Sequence, residues 1–208
     1  MEFQDVVRKR RMVRSYEPDR PVPPEVVDRI LRNGLRAPSA GFSQGWGFLV
    51  LDTTEDLDRF RAAMGRSAEP EKWLASHFAA PLLIVPCSHK DAYLDRYAQP
   101  DKGHDDRSDA WWPAPYWDID TGMASLMMLL TAVDAGLGAC FFGVPPERQA
   151  DVLEALGAPD NRRIVGVVSV GHAAPDRRSP SLRRGRRAVD EVAHDGRFGV
   201  PWRLRGRV

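Results

Sequence analysis

The feature that most constrains the fold is a helix predicted over residues 118–135, because its apolar residues lie on nearly every side of its axis. The apolar set comprises Met123, Leu126, Met127, Met128, Leu129, Leu130 and Val133, and the run Gly136-Leu137-Gly138 ends the helix. A helix of this kind must be covered on every side, either by its own core or by a second subunit. The sequence therefore predicts one central helix that belongs to a domain core, a subunit interface or both.

Short apolar runs and amphipathic patterns predict the elements around this helix. Strands are predicted over residues 46–51, 81–86, 139–143 and 164–171, and helices over residues 3–11, 24–36, 70–79 and 146–156. A further helix is predicted from an N-cap at Thr54 to a stop at Gly65. From Ser88 to Trp117 we find no periodicity, which indicates a long, aromatic-rich loop. We expect one domain over residues 1–171, with residues 172–208 as an arm that wraps over a partner chain.

Charge and cysteine content narrow the classes of partner. The chain has 208 residues, and its 30 basic and 29 acidic side chains leave a net charge of +1. This balance gives no electrostatic case for nucleic acid or an anionic membrane, and we expect neither as a partner. Both cysteines, Cys87 and Cys140, lie in apolar runs and are predicted to be reduced core thiols. With no signal-peptide core at the N-terminus, the sequence indicates a cytoplasmic protein.

The residues after the second helix predict a ligand-binding loop. Residues 37–45 read APSAGFSQG and precede an apolar strand; the glycines permit close approach of a flat ligand, and Ser39, Ser43 and Gln44 offer hydrogen bonds. No G-x-G-x-x-G, P-loop or G-x-S-x-G motif is present. We find no acid–base pair suited to catalysis and predict no metal site, so an enzyme of this sequence would depend on a cofactor for its chemistry.

Two local excesses of arginine stand out in an otherwise neutral chain. One near the N-terminus comprises Arg10, Arg11 and Arg14, and one near the C-terminus comprises Arg183, Arg184, Arg186 and Arg187. Guanidinium groups suit bidentate binding of phosphate, although arginines of this kind are also common on solvated surfaces.

Five stretches in order along the chain resemble the FMN-dependent nitroreductase family. They read RRMVRSY, PVPPEVVDRIL, APSAGFSQGWGFLV, the helix that begins near Asp120 and runs into GLGACFFG, and RRAVDEVAH. The resemblance implies an α+β fold, with an antiparallel-rich mixed sheet covered by helices, and an intertwined homodimer with a C-terminal arm. It also implies FMN at the dimer interface and an oxidoreductase that transfers a hydride from NADH or NADPH, through flavin N5, to a flat acceptor such as a nitroaromatic or quinone, in a ping-pong sequence.

The resemblance also assigns roles by position. It implies contacts with the FMN phosphate and flavin for the basic N-terminal residues and for two C-terminal arginines, a loop against the flavin ring, and a backbone segment near N5. The residues implied for the cofactor are Arg10, Arg11, Met12, Arg14, Pro38, Ser39, Ala40, Phe42, Phe142, Gly143, Arg186 and Arg187. In the family, the region that corresponds to the aromatic-rich stretch before residue 118 varies most and caps the flavin. The resemblance therefore implies that four aromatic residues of this stretch select the acceptor: Trp111, Trp112, Tyr116 and Trp117.

Three departures from the family pattern leave alternatives open. Met12 stands where the family often has serine, Phe42 where asparagine is usual, and Gly45 where proline is usual. These changes bear on the shape of the ring pocket and therefore on the acceptor. A flavin enzyme of specialised metabolism, such as a dehydrogenase, dehalogenase or flavin-fragmenting enzyme, fits the same motifs. So does a non-catalytic protein that holds a flavin or deazaflavin.

Overall fold

The fold of residues 1–176 is built on a five-stranded antiparallel sheet. The computed structural model describes residues 1–65, 79–103, 106–175 and 179–203. The strands are β1 (Trp46–Leu51), β2 (Leu82–Ser88), β3 (Gly138–Phe142), β4 (Arg163–Ile164) and β5 (Val167–Gly171). Their order is β1-β2-β5-β3, and β4 pairs with the end of β2. The named strand pairs are all antiparallel, and an isolated parallel bridge joins Met12 to Ala139. The predicted α+β class with an antiparallel-rich sheet is confirmed.

Helices cover both faces of this sheet. They are α1 (Phe3–Lys9), α2 (Pro24–Gly34), α3 (Thr54–Ala63), α4 (Lys90–Tyr97), α5 (Tyr116–Asp134) and α6 (Gln149–Ala155). Alternate residues of β2 point to opposite faces, so Leu83 and Val85 pack with Phe60 of α3 in one core, while Ile84 packs with Ile30 and Met128 of α2 and α5 in the other. The molecule therefore has a helix–sheet–helix arrangement with two apolar cores.

The predicted central helix is α5, and the sheet does not bury all of it. Its inner face is packed in the core through residues such as Ala124, Met128 and Ala132. Three apolar residues at helical spacing stay exposed: Ile119 at 40%, Met123 at 38% and Leu126 at 48%. We call these three residues the α5 stripe. Two further exposed apolar residues, Phe3 and Val7, lie on α1. The N-terminal amine of Met1, just before α1, forms an ion pair with Asp134 at the end of α5.

Some predicted boundaries are wrong for identifiable physical reasons. The N-cap of α3 is Thr53, whose Oγ1 accepts a hydrogen bond from the Asp56 amide at 3.2 Å, rather than Thr54. The predicted strand over residues 164–171 is divided into β4 and β5. At the division Gly166 lies so close to the Phe141 ring that a Cβ would clash with it. The helix predicted over residues 70–79 falls outside the described residues, apart from its last residue.

The region from Ser88 to Trp117 is not the irregular loop that its sequence indicates. Residues 90–97 form α4, and Tyr116 and Trp117 are the first residues of α5. The helical pattern of α4 is weak because only Tyr93 and Leu94 are buried in it. Tertiary contacts with other aromatic rings therefore stabilise a helix that sequence periodicity does not reveal.

Residues 177–208 form a second compact unit. It contains a 3₁₀ helix over Pro180–Arg184, the short helix α7 (Val189–Val192) and an antiparallel bridge between His194 and Pro201. Several large apolar side chains of this unit are exposed: Leu182, Val189, Val192, Phe198 and Trp202. Among the helices in the part of the chain that the structure describes, none is long and apolar enough to cross a membrane.

Candidate functional site

The N-terminal arginines lie on a segment that runs beside the edge strand β3. Met12 bridges to Ala139, and the amide of Val13 donates to the Ala139 carbonyl at 2.9 Å. Because the bridge is parallel, Arg14 lies toward the Phe142 end of β3 and Arg10 toward its Gly138 end. In extended backbone these two arginines are about 13 Å apart along the chain. The segment therefore places two cations along the sheet edge, and this spacing suits an elongated ligand.

Alternation of side chains separates the arginines into two sets. Arg11 and Val13 line a cavity of about 300 Å³ together with Lys9, Leu137 and Ala173. Since successive side chains of extended backbone point to opposite sides, Arg10, Met12 and Arg14 share the other face. The thioether of Met12 accepts a hydrogen bond from the Phe141 amide at 3.4 Å, so this side chain packs on β3. Backbone alternation thus groups Arg10, Met12 and Arg14 and sets Arg11 apart, and Arg14 Nη1 donates to the Met12 carbonyl at 3.5 Å.

Phe142 and Gly143 follow at the end of β3. Phe142 is buried in the core, whereas Gly143 is exposed. A Cβ added at Gly143 would meet no described atom of the chain within 4 Å. The backbone at Gly143 therefore offers an open platform at the end toward which Arg14 lies.

The loop over residues 38–44 has an unusual backbone. Its 3₁₀ turn, Ala40–Phe42, contains Gly41 at φ 60°, and both Phe42 (φ 56°) and Gln44 (φ 49°) are left-handed. Non-glycine residues adopt this region at a cost of about 1 kcal/mol or more each. Phe42 is also 74% exposed. A strained loop with an exposed aromatic side chain is typical of a binding surface.

Contacts from α4 and α5 hold this loop in place. The amide of Ala40 donates to Asp120 Oδ2 at 2.8 Å, and Arg96 Nε donates to the Gly41 carbonyl at 3.1 Å. The Tyr97 ring lies so close to Gly41 that a Cβ there would be 2.6 Å from it. Within the loop, Ser39 Oγ accepts from the Gln44 amide at 3.0 Å. Pro38, Ser39, Ala40 and Phe42 therefore lie on a fixed surface.

The predicted acceptor residues form one aromatic cluster beside that loop. The ring of Trp112 lies at its centre, with centroid distances of 4.6 Å to Tyr97, 4.8 Å to Trp111, 5.7 Å to Tyr116, 5.9 Å to Trp117 and 6.0 Å to Tyr93. Tyr93 is fully buried, and its hydroxyl donates to Asp120 Oδ2 at 2.8 Å. Burial, followed by this hydrogen bond, raises the pKa of Tyr93, so the hydroxyl stays protonated and remains a donor at physiological pH.

The C-terminal arginines lie in the second unit. Arg187 contacts Glu191 of α7 through Nε to the carboxylate at 3.3 Å and through Nη2 to the backbone carbonyl at 2.9 Å. Both side chains of this ion pair are more than half exposed, so the pair itself is weak. Arg186 is exposed. Their roles stay predictions.

Sequence reasoning missed three residues that shape this region, namely Asp120, Tyr93 and Arg96. One signal was present: Asp120 is a carboxylate inside the most apolar helix of the chain. Tyr93 stood out only as one of the aromatic residues of the region from Ser88 to Trp117, and Arg96 gave no signal, because α4 has no clear periodicity. Among the described residues, we find no group of three or more histidine, cysteine, aspartate or glutamate side chains arranged to hold a metal ion.

Comparison with known proteins identifies a family. The sequence profile of the nitroreductase family matches residues 7–172 of this chain. A protein of Archaeoglobus fulgidus, provisionally named NADH dehydrogenase/NAD(P)H nitroreductase, is 31% identical over 80% of this chain and 83% of its own length. The iodotyrosine deiodinase of Danio rerio is 25% identical over 88% of this chain and 63% of its own length.

A solved structure shows the same fold. The FMN-dependent nitroreductase of Clostridium difficile R20291 superposes with a TM-score of 0.67, covering 93% of this chain and 98% of that one, at 24% identity. Two observations thus converge on one architecture: the profile match over most of residues 1–176, and the superposition over most of the chain.

Proposed function

This chain belongs to the nitroreductase family, and from that premise we propose that it is an FMN-dependent oxidoreductase that takes electrons from NADH or NADPH and passes them to a flat acceptor. The observation that carries the proposal is the face formed by Arg10, Met12 and Arg14, which runs along β3 toward the open backbone of Gly143. The names of the relatives, which include NAD(P)H nitroreductase and FMN-dependent nitroreductase, support the choice of cofactor and donor.

The residues present fit the proposed cofactor. A guanidinium group at one end of this face provides the charge-assisted donors that a phosphate requires, and the second lies further along the face. Gly143, where no described atom of the chain occupies the position of a Cβ, leaves room for a flat ring against the backbone. The thioether of Met12 stands where a hydroxyl would be a further donor, so the two arginines provide most of the attraction of this face for the cofactor.

When bound, FMN supplies reversible two-electron chemistry, which no described side chain of this region provides. The contribution of the chain is binding and orientation. We propose that Arg10 and Arg14 hold the phosphate end and the ring edge, that Gly143 lets the ring lie on the β3 backbone, and that the loop over residues 38–42 bounds the ring. The aromatic cluster excludes water from the acceptor side and selects flat molecules by stacking.

We propose further that two chains complete the site. The loop over residues 38–42 lies near the N-terminal end of α5, a helix about 28 Å long, whereas β3 follows its C-terminal end. The α5 stripe is exposed, and its residue Ile119 directly precedes Asp120, whose carboxylate accepts the hydrogen bond from the Ala40 amide of this loop. A homodimer that forms through α5 would cover the α5 stripe. It would also bring the loop of one chain toward the face formed by Arg10, Met12 and Arg14 of the other chain, which we call the arginine face.

The absorption spectrum of the purified protein under nitrogen tests this function. We expect flavin bands at one FMN per chain, and bleaching within seconds when NADPH or NADH is added, followed by recovery when a quinone or nitroaromatic is supplied. Steady-state rates should give parallel double-reciprocal lines, as a ping-pong sequence requires. A protein that binds FMN but is bleached by neither nucleotide contradicts the proposed donor.

The deiodinase relative supports one alternative, a dehalogenating or other specialised flavin enzyme. Its acceptor would be a substituted aromatic ring held by the same aromatic cluster. Release of halide from a halogenated phenol, under conditions in which nitroaromatics are not reduced, would favour this alternative. A tightly bound flavin or deazaflavin that no donor reduces would favour a non-catalytic binding protein.

We predict that Gly143→Ala weakens FMN binding about tenfold. The added methyl group would meet no described protein atom, so the free energy of unfolding should change by less than about 0.5 kcal/mol. A flavin ring lying on the backbone would be displaced by the same methyl group. FMN affinity is measured by fluorescence titration of the apoprotein. Gly47→Ala is the control, because that glycine has equally open surroundings on β1, at the other edge of the sheet. Unchanged affinity for Gly143→Ala would place the ring elsewhere.

We predict that Trp112→Leu and Trp117→Leu alter the preference among acceptors. Stacking by these rings favours flat acceptors, so kcat/KM for a nitroaromatic should fall about tenfold, which corresponds to about 1.4 kcal/mol. NADPH oxidation with ferricyanide, a small acceptor, should fall less than twofold. Leucine limits the cavity left at the centre of the cluster. Equal losses with every acceptor would show that the cluster is only structural.

A further inference from the structure

Asp120 is a buried carboxylate that the proposed chemistry does not use. It is 2% exposed, and no basic side chain among the described residues lies within ion-pairing distance of it. Its Oδ2 accepts hydrogen bonds from two neutral donors, the Tyr93 hydroxyl and the Ala40 amide, each at 2.8 Å. Burying a carboxylate costs free energy unless it is hydrogen-bonded, so these two donors determine where this group can lie.

The two donors belong to the two parts of the proposed site. Ala40 is in the strained loop that we propose for the flavin ring, and Tyr93 is packed against the acceptor cluster through Trp112 and Trp117, at centroid distances of 6.0 and 6.3 Å. One carboxylate oxygen therefore joins the loop to the cluster. Neither part can shift without stretching a hydrogen bond to the same atom.

The loop needs such an anchor because its own conformation is strained. Phe42 and Gln44, which follow Ala40, have positive φ angles. Conformations of this kind persist where surrounding contacts over-determine them. Arg96 and Tyr97 hold the loop at Gly41, and Asp120 holds it one residue earlier. Without the carboxylate, the Ala40 amide would lose its acceptor and the loop could relax toward less strained angles.

We propose that Asp120 is a positioning residue that couples the cofactor loop to the acceptor cluster, so that the geometry of the ring pocket and the selection of acceptors are set together. This inference rests on the proposed function, because it takes FMN as the ligand of the loop. It predicts that changes at Asp120 alter cofactor affinity and acceptor preference at once, although Asp120 itself touches neither ligand.

Three variants test the role. Asp120→Leu removes the acceptor oxygen, and Asp120→Asn restores an oxygen acceptor without the charge. The matched control is Asp118→Asn, two residues earlier on α5, whose carboxylate binds Ser88 at 2.6 Å and Arg163 at 3.0 Å instead of the loop. Each protein is prepared as apoprotein, checked by circular dichroism and thermal unfolding, and titrated with FMN. The visible circular dichroism of the flavin is then recorded at saturating FMN.

For Asp120→Leu we expect FMN affinity to fall roughly ten- to a hundredfold and the visible circular dichroism to change. At saturating FMN, the ratio of kcat/KM for a nitroaromatic to that for ferricyanide should change at least about fivefold. Asp120→Asn should recover affinity to within about threefold of the wild type, and Asp118→Asn should match the wild type in all three measurements.

Several outcomes would overturn the inference. If wild-type protein binds no FMN, the proposed function fails and the inference fails with it. If wild-type protein binds FMN and folded Asp120→Leu gives the same affinity, spectrum and acceptor ratio, only the inference fails. If Asp120→Leu does not fold, Tyr93→Phe is the deciding variant, because it keeps the aromatic ring and removes one of the two donors to Asp120. A change of about threefold or more in FMN affinity or in the acceptor ratio supports the coupling of the loop to the cluster. Unchanged values refute it.

Discussion

Arg14→Ala protein is expected to purify largely colourless yet folded, and to regain activity when excess FMN is added. A charge-assisted hydrogen bond contributes about 1.5 to 3 kcal/mol, so losing one should weaken FMN binding by roughly ten- to a hundredfold. Arg10→Ala should behave in the same way, because Arg10 and Arg14 share one face of the segment beside β3. Flavin content after dialysis and the dissociation constant of FMN are the measurements.

The control for removing a positive charge is Arg29→Ala, an exposed arginine on α2. Riboflavin separates the two possible contacts: a residue that binds only the phosphate should leave riboflavin affinity unchanged when it is replaced. Arg11→Ala should have a smaller effect than Arg14→Ala because its side chain lines the cavity on the opposite face. If both Arg10→Ala and Arg14→Ala keep their full flavin content after dialysis, these arginines do not bind FMN and are ordinary solvated surface residues.

Arg187→Ala tests the predicted contribution of the C-terminal unit. Its contact with Glu191 is exposed and weak, so the guanidinium is available to exchange that partner for a phosphate. If it binds FMN, the variant should lose affinity by a factor similar to that of Arg14→Ala. If Arg187 only orders α7, FMN affinity should not change.

The double variant Met123→Glu/Leu126→Glu is expected to be a folded monomer that binds FMN poorly. Both side chains are already exposed within one chain, so the substitutions should not unfold it. In a symmetric dimer each substitution occurs twice. Because these side chains are only 38% and 48% exposed in one chain, burying the rest of all four contributes about 2.5 to 5 kcal/mol, at about 1.5 to 3 kcal/mol for each fully exposed side chain. The dimer dissociation constant should therefore rise by at least about 10²-fold.

Sedimentation velocity at micromolar concentration measures the assembly, and flavin content measures the completed site. Leu35→Glu is the control, because this exposed leucine lies just beyond α2 and outside the α5 stripe. Two results would contradict the proposal: wild-type protein that sediments as a flavin-bound monomer, or a double variant that remains dimeric. A monomeric variant with full FMN affinity would show that one chain forms the site alone.

Much of the fold was predictable because its signals are local. The apolar composition of α5, the runs of β1, β2 and β3, and the proline-led start of α2 each lie within about twenty residues of sequence. Chain positions that resemble the family gave the arginine face, the loop and the end of β3 as candidates. Local periodicity failed at α4, where two buried residues were too few to make a pattern, and at Gly166, where the constraint is the ring of Phe141.

By itself, the sequence determined the fold class, the family and the list of candidate cofactor residues. Tertiary structure decided which residues lie together: pairing with β3 separates Arg10 and Arg14 from Arg11, and Asp120 joins Ala40 to Tyr93. These relations depend on pairing between distant positions, such as Met12 with Ala139 and Ala40 with Asp120, which are 80 residues apart in the second case. The physical reason is that the sequence gives the chemical type of each side chain directly. The neighbours of that side chain in space depend on sheet register and helix packing over the whole chain.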